Sequence, residues 1–131
     1  MADRKDLKQE RINAKIAEIR RDNGDGIRAL LKEVNKTRLN SNGKITEAPI
    51  VEATSLRWTL AWKEERRISL ELNIVVNIED DGQHARVGRV WVHRHASTPM
   101  DYEGHTPTTR MRRLAGLSIA EIRDAIDAEW S

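Results

Sequence analysis

Two histidines are the first candidates for chemistry. His93 and His95 stand two residues apart in a segment of alternating residue types, so on a β-strand both imidazoles leave the same face. Imidazoles at this spacing can hold a metal ion, and the segment that follows offers further ligands at Asp101, Glu103 and His105. A metal-dependent enzyme acting through the two histidines is therefore one interpretation, the weakest of three. The preferred expectation is no catalytic residue, no metal and no cofactor.

The triplet His93-Arg94-His95 resembles the His-x-His metal-binding motif of HUH nicking endonucleases, which add a tyrosine nucleophile. In this chain Arg94 stands where that family has a hydrophobic residue. Tyr102 lies in a segment bounded by Pro99 and Gly104, without a lysine three residues later. With these two departures the motif does not assign the chain to that family.

A second local resemblance lies near the C-terminus. The stretch 114–123 resembles the glycine-hydrophobic-serine turn of helix-turn-helix proteins, and in particular that of MerR-type regulators. The helix that would read DNA carries Asp124, Asp127 and Glu129, and these carboxylates would face phosphates unfavourably. We therefore interpret the stretch as an ordinary capped helix that packs on a sheet.

The histidine segment also has the composition of a binding surface. Arginine and tryptophan are enriched at the hot spots of protein interfaces. If Trp91 lies on the face opposite the core, its apolar surface needs a cover, which is either this chain's helices, a second copy or a partner. The predicted partner-binding residues are Arg89, Trp91, His93, Arg94 and His95. We therefore predict a small non-enzymatic interaction protein, an adaptor, inhibitor or assembly factor, that binds another protein or a second copy of itself. Its size and charge also suit an accessory protein of a phage or mobile element.

Nucleic-acid binding is the alternative. The chain has 23 basic and 21 acidic side chains, and a net charge of +2 is too small to imply a polyanionic partner. However, residues 1–38 carry 11 basic and 7 acidic groups, and residues 84–113 carry 6 and 2. These segments either form one basic face or are neutralised by acidic segments. The candidate nucleic-acid contacts are Arg86, Arg110, Arg112 and Arg113.

Length and composition exclude several classes of protein. A chain of 131 residues is about one domain, and the absence of cysteine excludes disulfides, thiol catalysis and cysteine zinc sites. No apolar run is long enough to span a membrane, and the N-terminus is charged from Asp3 onward. We therefore expect a single domain over residues 1–131, located in the cytoplasm, with no membrane partner.

Two helices are predicted at the N-terminus, as a helical hairpin over residues 3–37. The first has an isoleucine stripe and ends at Asp22-Asn23-Gly24, since asparagine and glycine tolerate left-handed backbone angles. Asp25 then caps the second helix. The apolar positions of the two helices are Ile12, Ile16 and Ile19, then Ile27, Leu30, Leu31 and Val34.

Three strands are predicted next, within residues 55–95. They follow a variable connection over residues 38–54, in which Asn42-Gly43 marks a turn. The period of two places Val90 and Val92 on one face of the third strand and Arg89, Trp91, His93 and His95 on the other face, and Gly88 marks a bulge. The apolar positions of the other two strands are Leu56, Trp58, Leu60 and Trp62, then Ile68, Leu70, Leu72, Ile74, Val76 and Ile78.

The C-terminal part is predicted to be a loop followed by helix. Residues 96–109 form the loop, and the helical part over residues 110–130 includes a short turn before Gly116 and a helix capped by Ser118. The expected fold class is α+β: two N-terminal helices, a three-stranded antiparallel meander and one C-terminal helix packed on the sheet.

Overall fold

The fold is a five-stranded antiparallel sheet with helices on one face. The computed structural model describes residues 4–49, 54–64, 68–97 and 108–130. Along the chain the elements are α1 (Arg4–Ile19), a π-helical segment (Arg20–Gly24), α2 (Asp25–Arg38), β1 (Lys44–Pro49), β2 (Ser55–Glu64), β3 (Ile68–Asp80), β4 (Ala85–Ser97), β5 (Thr108–Leu114) and α3 (Ile119–Glu129). The strands lie in sequence order, each paired with its neighbour. The α+β class and the antiparallel sheet are confirmed, but the prediction of three strands is wrong.

The two additional strands lie at the edges of the sheet. β1 lies in the segment predicted to be a variable connection, and it pairs with β2 so that Ile45 is opposite Leu60. β5 replaces the predicted helical turn and pairs with β4, with Leu114 opposite Val90. The predicted turn before Gly116 includes Met111 and Leu114, whose three-residue spacing is compatible with a helix. Two apolar residues are too few to establish a period. Pairing with the neighbouring strand determines the conformation here.

The predicted helical hairpin is also wrong, because α1 continues through the π-helical segment into α2. Gly24 has φ −58° and ψ −44°, and Asp25 has φ −66° and ψ −40°, both right-handed helical values. Asparagine and glycine permit a left-handed helix end but do not require one. Gly24 is buried, and the guanidinium of Arg28 lies next to it.

The π-helical segment aligns the apolar stripes of α1 and α2. Ile19 and Ile27 are eight residues apart, which in a regular α-helix leaves their side chains about 80° out of line. A π-helix has more residues per turn, since its hydrogen bonds run from i to i+5, so the chain rotates less over the same number of residues. Both isoleucines are buried in the same core.

The core lies between the sheet and the helices. α1 packs on β3 and β4, α2 packs on β1 and β2, and α3 packs on β4, β5 and α2. The predicted apolar positions of β2 and β3 are buried, except for the partly buried Ile68, and Trp58 is completely buried. The end of α3 is anchored by Trp130, which stacks on Trp62 with ring centroids 5.8 Å apart. No helix within the described residues is long and apolar enough to cross a membrane.

The bulge predicted at Gly88 and the helix cap predicted at Ser118 are confirmed. The register of β3 and β4 shifts after Asn77, which pairs with Arg89, and Gly88 is the extra residue of a bulge. A Cβ atom at Gly88 would collide with the side chain of Glu79. Gly82 has φ +99° in the β3–β4 turn, and the hydroxyl of Ser118 accepts a hydrogen bond from the backbone N–H of Glu121 at the start of α3.

An ion pair fixes α1 to the β3–β4 hairpin. The Asp80 carboxylate is fully covered and accepts hydrogen bonds from Arg11 Nε at 2.6 Å and Arg11 Nη2 at 2.8 Å. A third bond comes from the backbone N–H of Gly82 at 2.9 Å. The Arg11 guanidinium and this N–H lower the pKa of Asp80 from 3.8 to about 2.

The ion pair predicts a specific loss of stability in acid. Because the folded-state pKa lies below the unfolded value of 3.8, Asp80 stabilises the fold above that pH, and the contribution is lost as pH falls toward about 2. We expect Asp80→Asn to lower the melting temperature at pH 6, with the difference from the wild type shrinking as pH falls from 4 to 2. Thermal denaturation followed by circular dichroism at each pH tests this. A difference independent of pH would contradict the assigned role.

Candidate binding surface

The face of the sheet away from the helices brings together most of the predicted binding residues. Directly paired residues of neighbouring strands point to the same side. Arg57, Val75, Trp91 and Arg113 are paired in this way across β2, β3, β4 and β5. We call this side the outer face; its residues are Ser55, Arg57, Thr59, Ala61, Glu71, Asn73, Val75, Asn77, Arg89, Trp91, His93, His95, Met111 and Arg113.

A polar network occupies the middle of the outer face. The Thr59 hydroxyl donates a hydrogen bond of 2.6 Å to Asn73 Oδ1, and Asn73 Nδ2 lies 3.5 Å from His93 Nδ1. Asn73 is only 2 % exposed, so these contacts satisfy a polar group that has little access to water. Asn73 is not among the residues predicted from the sequence; the available signal is a short polar residue at an outward position of the longest alternating segment.

The two histidines stack beside this network. Their ring centroids are 6.3 Å apart. Burial lowers the pKa of His93, and the neighbouring His95 and Arg57 lower it further, while Glu71 has the opposite effect. His93 is therefore neutral at pH 7. Its partner in the sheet, Asn73, is the polar neighbour of its Nδ1 atom.

The structure does not complete the metal site considered for these histidines. Across the described ranges, no three histidine or carboxylate side chains are grouped closely enough to hold a metal ion. The additional ligands that the sequence offered, Asp101, Glu103 and His105, lie outside the described residues. Tyr102, the tyrosine compared with the HUH motif, also lies outside them.

Arg94 is separated from the other predicted partner-binding residues. It pairs with Leu72 on the helix side of the sheet, and its Nη1 atom lies 3.8 Å from Glu129 Oε2 in α3. Arg89, Trp91, His93 and His95 remain together on the outer face.

The predicted nucleic-acid contacts are also divided. Arg113 is on the outer face opposite Trp91, whereas Arg112 is opposite Val92 and so lies on the helix side. Arg86 is opposite Glu79, beyond the bulge. The backbone of Arg110 pairs with that of Arg94, and its side chain is outside the described structure. The four arginines therefore do not form one patch.

Several arginines of the helix side, though not the exposed Arg112, are in ion pairs within the described structure. Ion pairs join arginines of α1, the π-helical segment, α2, β4 and α3 to carboxylates far away in sequence. They are Arg11–Asp80, Arg20–Glu47, Arg28–Glu47, Arg38–Asp127, Arg94–Glu129 and Arg123–Glu33. Four basic residues of segment 1–38, namely Arg11, Arg20, Arg28 and Arg38, are therefore paired with carboxylates from other parts of the fold.

The arginines of the outer face are arranged differently. Arg57, Arg89 and Arg113 are all exposed. Among the residues that the structure describes, none of the three is in an ion pair. The outer face therefore presents positive charge around Trp91, which can attract a partner of opposite charge.

The fold and this surface define the class of protein: an α+β protein in which a five-stranded meander carries helices on one face and a basic, tryptophan-bearing surface on the other. No protein-family model matches the chain, and neither a curated protein nor a solved structure matches it.

Proposed function

We propose that this protein is a small non-enzymatic interaction protein that binds another protein through the outer face. The observation that carries the proposal is the position of Trp91. Trp58 and Trp62 are buried in the core, and Trp130 packs against it. Trp91 instead lies on the opposite face of the sheet, partly exposed, where packing within the described structure does not use all of its surface.

The residues around Trp91 have the composition of an interface centre. Val75, its neighbour on β3, is 6 % exposed, and Met111 on β5 is 64 % exposed. Val75, Trp91 and Met111 form the apolar middle of the surface, and Arg57 and Arg113 place a charged group on either side of it. Interface centres are enriched in tryptophan, methionine and arginine.

In this proposal the histidines are contact residues and not catalytic groups. His93 lies one position from Trp91 in the outward row of β4, and its neutral ring can contact a partner at pH 7. The partner is another protein or a second copy of this chain. An adaptor, inhibitor or assembly factor in the cytoplasm, encoded by a phage or mobile element, is a role consistent with such a surface.

A site-specific crosslinker tests the surface directly. We expect a photoreactive benzoylphenylalanine placed at position 91 to form a covalent adduct in the cells that express the protein. The same group at position 32, where Lys32 is exposed on α2, is the matched control and should form little adduct. The masses of the adducts distinguish a dimer from a complex with another protein. Equal crosslinking at both positions, or none at position 91, would contradict the proposal.

A further inference from the structure

The distribution of the arginines indicates the chemistry of the partner. We propose that the outer face binds an acidic protein segment whose carboxylates contact Arg57 and Arg113 on either side of an apolar residue placed against Trp91. This inference rests on the proposed function, since it names the partner of the same surface. The contrast is with Arg11, Arg28 and Arg38, which are held in ion pairs with carboxylates, whereas Arg57 and Arg113 are exposed and, among the described residues, in no ion pair.

The register of the sheet sets the spacing of the contacts. Arg57, Val75, Trp91 and Arg113 occupy matching positions on four adjacent strands. Since neighbouring strands are about 4.8 Å apart, the Cα atoms of the two arginines are about 14 Å apart. An extended peptide lying across the strands covers this distance in about four residues. Such a peptide places an apolar side chain over Val75 and Trp91.

The chemistry favours carboxylates on a protein over the phosphates of a nucleic acid. Glu71 lies in the outer face, opposite His95, and would repel a phosphate chain that followed the β4 row. The exposed Met111 and the partly exposed Trp91 offer apolar contacts that a partner with apolar side chains can use. The net charge of +2 is also low for a protein that binds a polyanion.

Arginine is suited to this recognition. Its guanidinium binds a carboxylate through two parallel hydrogen bonds, which are stronger than bonds between neutral groups. Beside Trp91, the bound pairs would be partly shielded from water, which strengthens their attraction. Affinity should therefore depend on the charge of both partners and decrease as salt is added.

The test uses labelled peptides as defined probes. One peptide of about nine residues carries a central leucine flanked by glutamates, and a second peptide has glutamine at each glutamate position. By fluorescence anisotropy we expect the full-length protein to bind the glutamate peptide about tenfold more tightly than the glutamine peptide. Arg113→Gln and Arg57→Gln should each remove most of that preference, and Trp91→Ala should weaken binding about 30-fold.

A matched control is available on the helix side. Arg123 is exposed and pairs with the exposed Glu33, so Arg123→Gln removes the same charge outside the outer face and should leave affinity within about twofold. Circular dichroism and the melting temperature establish that each variant is folded. Equal affinity for the two peptides, or no binding of either, would overturn the acidic-partner proposal. If an oligothymidine probe binds more tightly than the glutamate peptide, and the outer-face variants lose that binding, the partner is a nucleic acid and the acidic-partner proposal is overturned.

The two proposals fail differently. If the crosslinker at position 91 captures a partner while both peptides fail to bind, the outer face is a binding surface and only the acidic chemistry is wrong. If position 91 captures nothing, the proposed function itself fails.

Discussion

Replacing Trp58 with alanine is expected to lower the free energy of unfolding by about 3–5 kcal/mol. Trp58 is completely buried, and its indole Nε1 donates a hydrogen bond of 3.0 Å to Glu47 Oε2. Glu47 also accepts a bond of 2.7 Å from Arg28. The substitution therefore opens a large cavity and removes one donor from a partly buried carboxylate. Chemical denaturation at pH 7 measures the change.

Trp91→Ala is the matched control, because it makes the same change on the other face of the sheet. Its indole is outside the core and partly exposed, so the expected loss of stability is smaller, about 1–2 kcal/mol. Equal losses in the two variants would show that Trp91 stabilises the fold as Trp58 does. That result would remove the observation on which the proposed function depends.

The second large effect concerns the π-helical segment. Inserting one alanine between Asn23 and Gly24 rotates α1 about 100° relative to α2. The isoleucines Ile12, Ile16 and Ile19 would then turn away from the sheet. Each buried isoleucine contributes about 1.5–3 kcal/mol, so we expect a loss of several kcal/mol, measured by chemical denaturation.

Deleting Asn23 is the corresponding control. It leaves Ile19 and Ile27 seven residues apart, and in a regular α-helix this spacing places them within about 20° of one line. We therefore expect the deletion to be tolerated better than the insertion, with the helix content by circular dichroism retained. Similar losses for the insertion and the deletion would show that the π-helical segment does not align the two stripes.

The central strands and α3 could be predicted from local sequence alone. Six alternating apolar residues fix the faces of β3, because a half-buried strand has a period of two. The same alternation placed Trp91 on one face of β4 and Val90 and Val92 on the other face. The structure confirms this arrangement. Ser118 and the apolar positions after it likewise define the start and the buried face of α3.

The remaining elements depend on contacts between distant parts of the chain. β1 and β5 are short edge strands whose own patterns are weak, and pairing with β2 and β4 forms them. The Asp22-Asn23-Gly24 sequence permits a turn or a helix. The helix forms because the apolar stripes of α1 and α2 both pack on the same sheet. No local pattern distinguishes these alternatives.

The binding surface was predictable only in part. Alternation identifies which residues of β4 share a face, and it separates Arg94 from Trp91. The division of the arginines into paired and exposed groups was not predictable, because the pairs join residues as far apart as Arg11 and Asp80, or Glu33 and Arg123. Asn73 was missed for the same reason: its partners lie on the two neighbouring strands.

The order of the strands has a consequence for how the chain folds. Every strand pairs with its neighbour in sequence, so the sheet can grow by successive hairpins at little cost in loop closure. The N-terminal helix is different, because α1 packs on β3 and β4, which follow it by many residues. During synthesis its isoleucine stripe leaves the ribosome first and has no sheet to cover it until β4 is made. The nascent chain is therefore most prone to aggregation before that strand emerges.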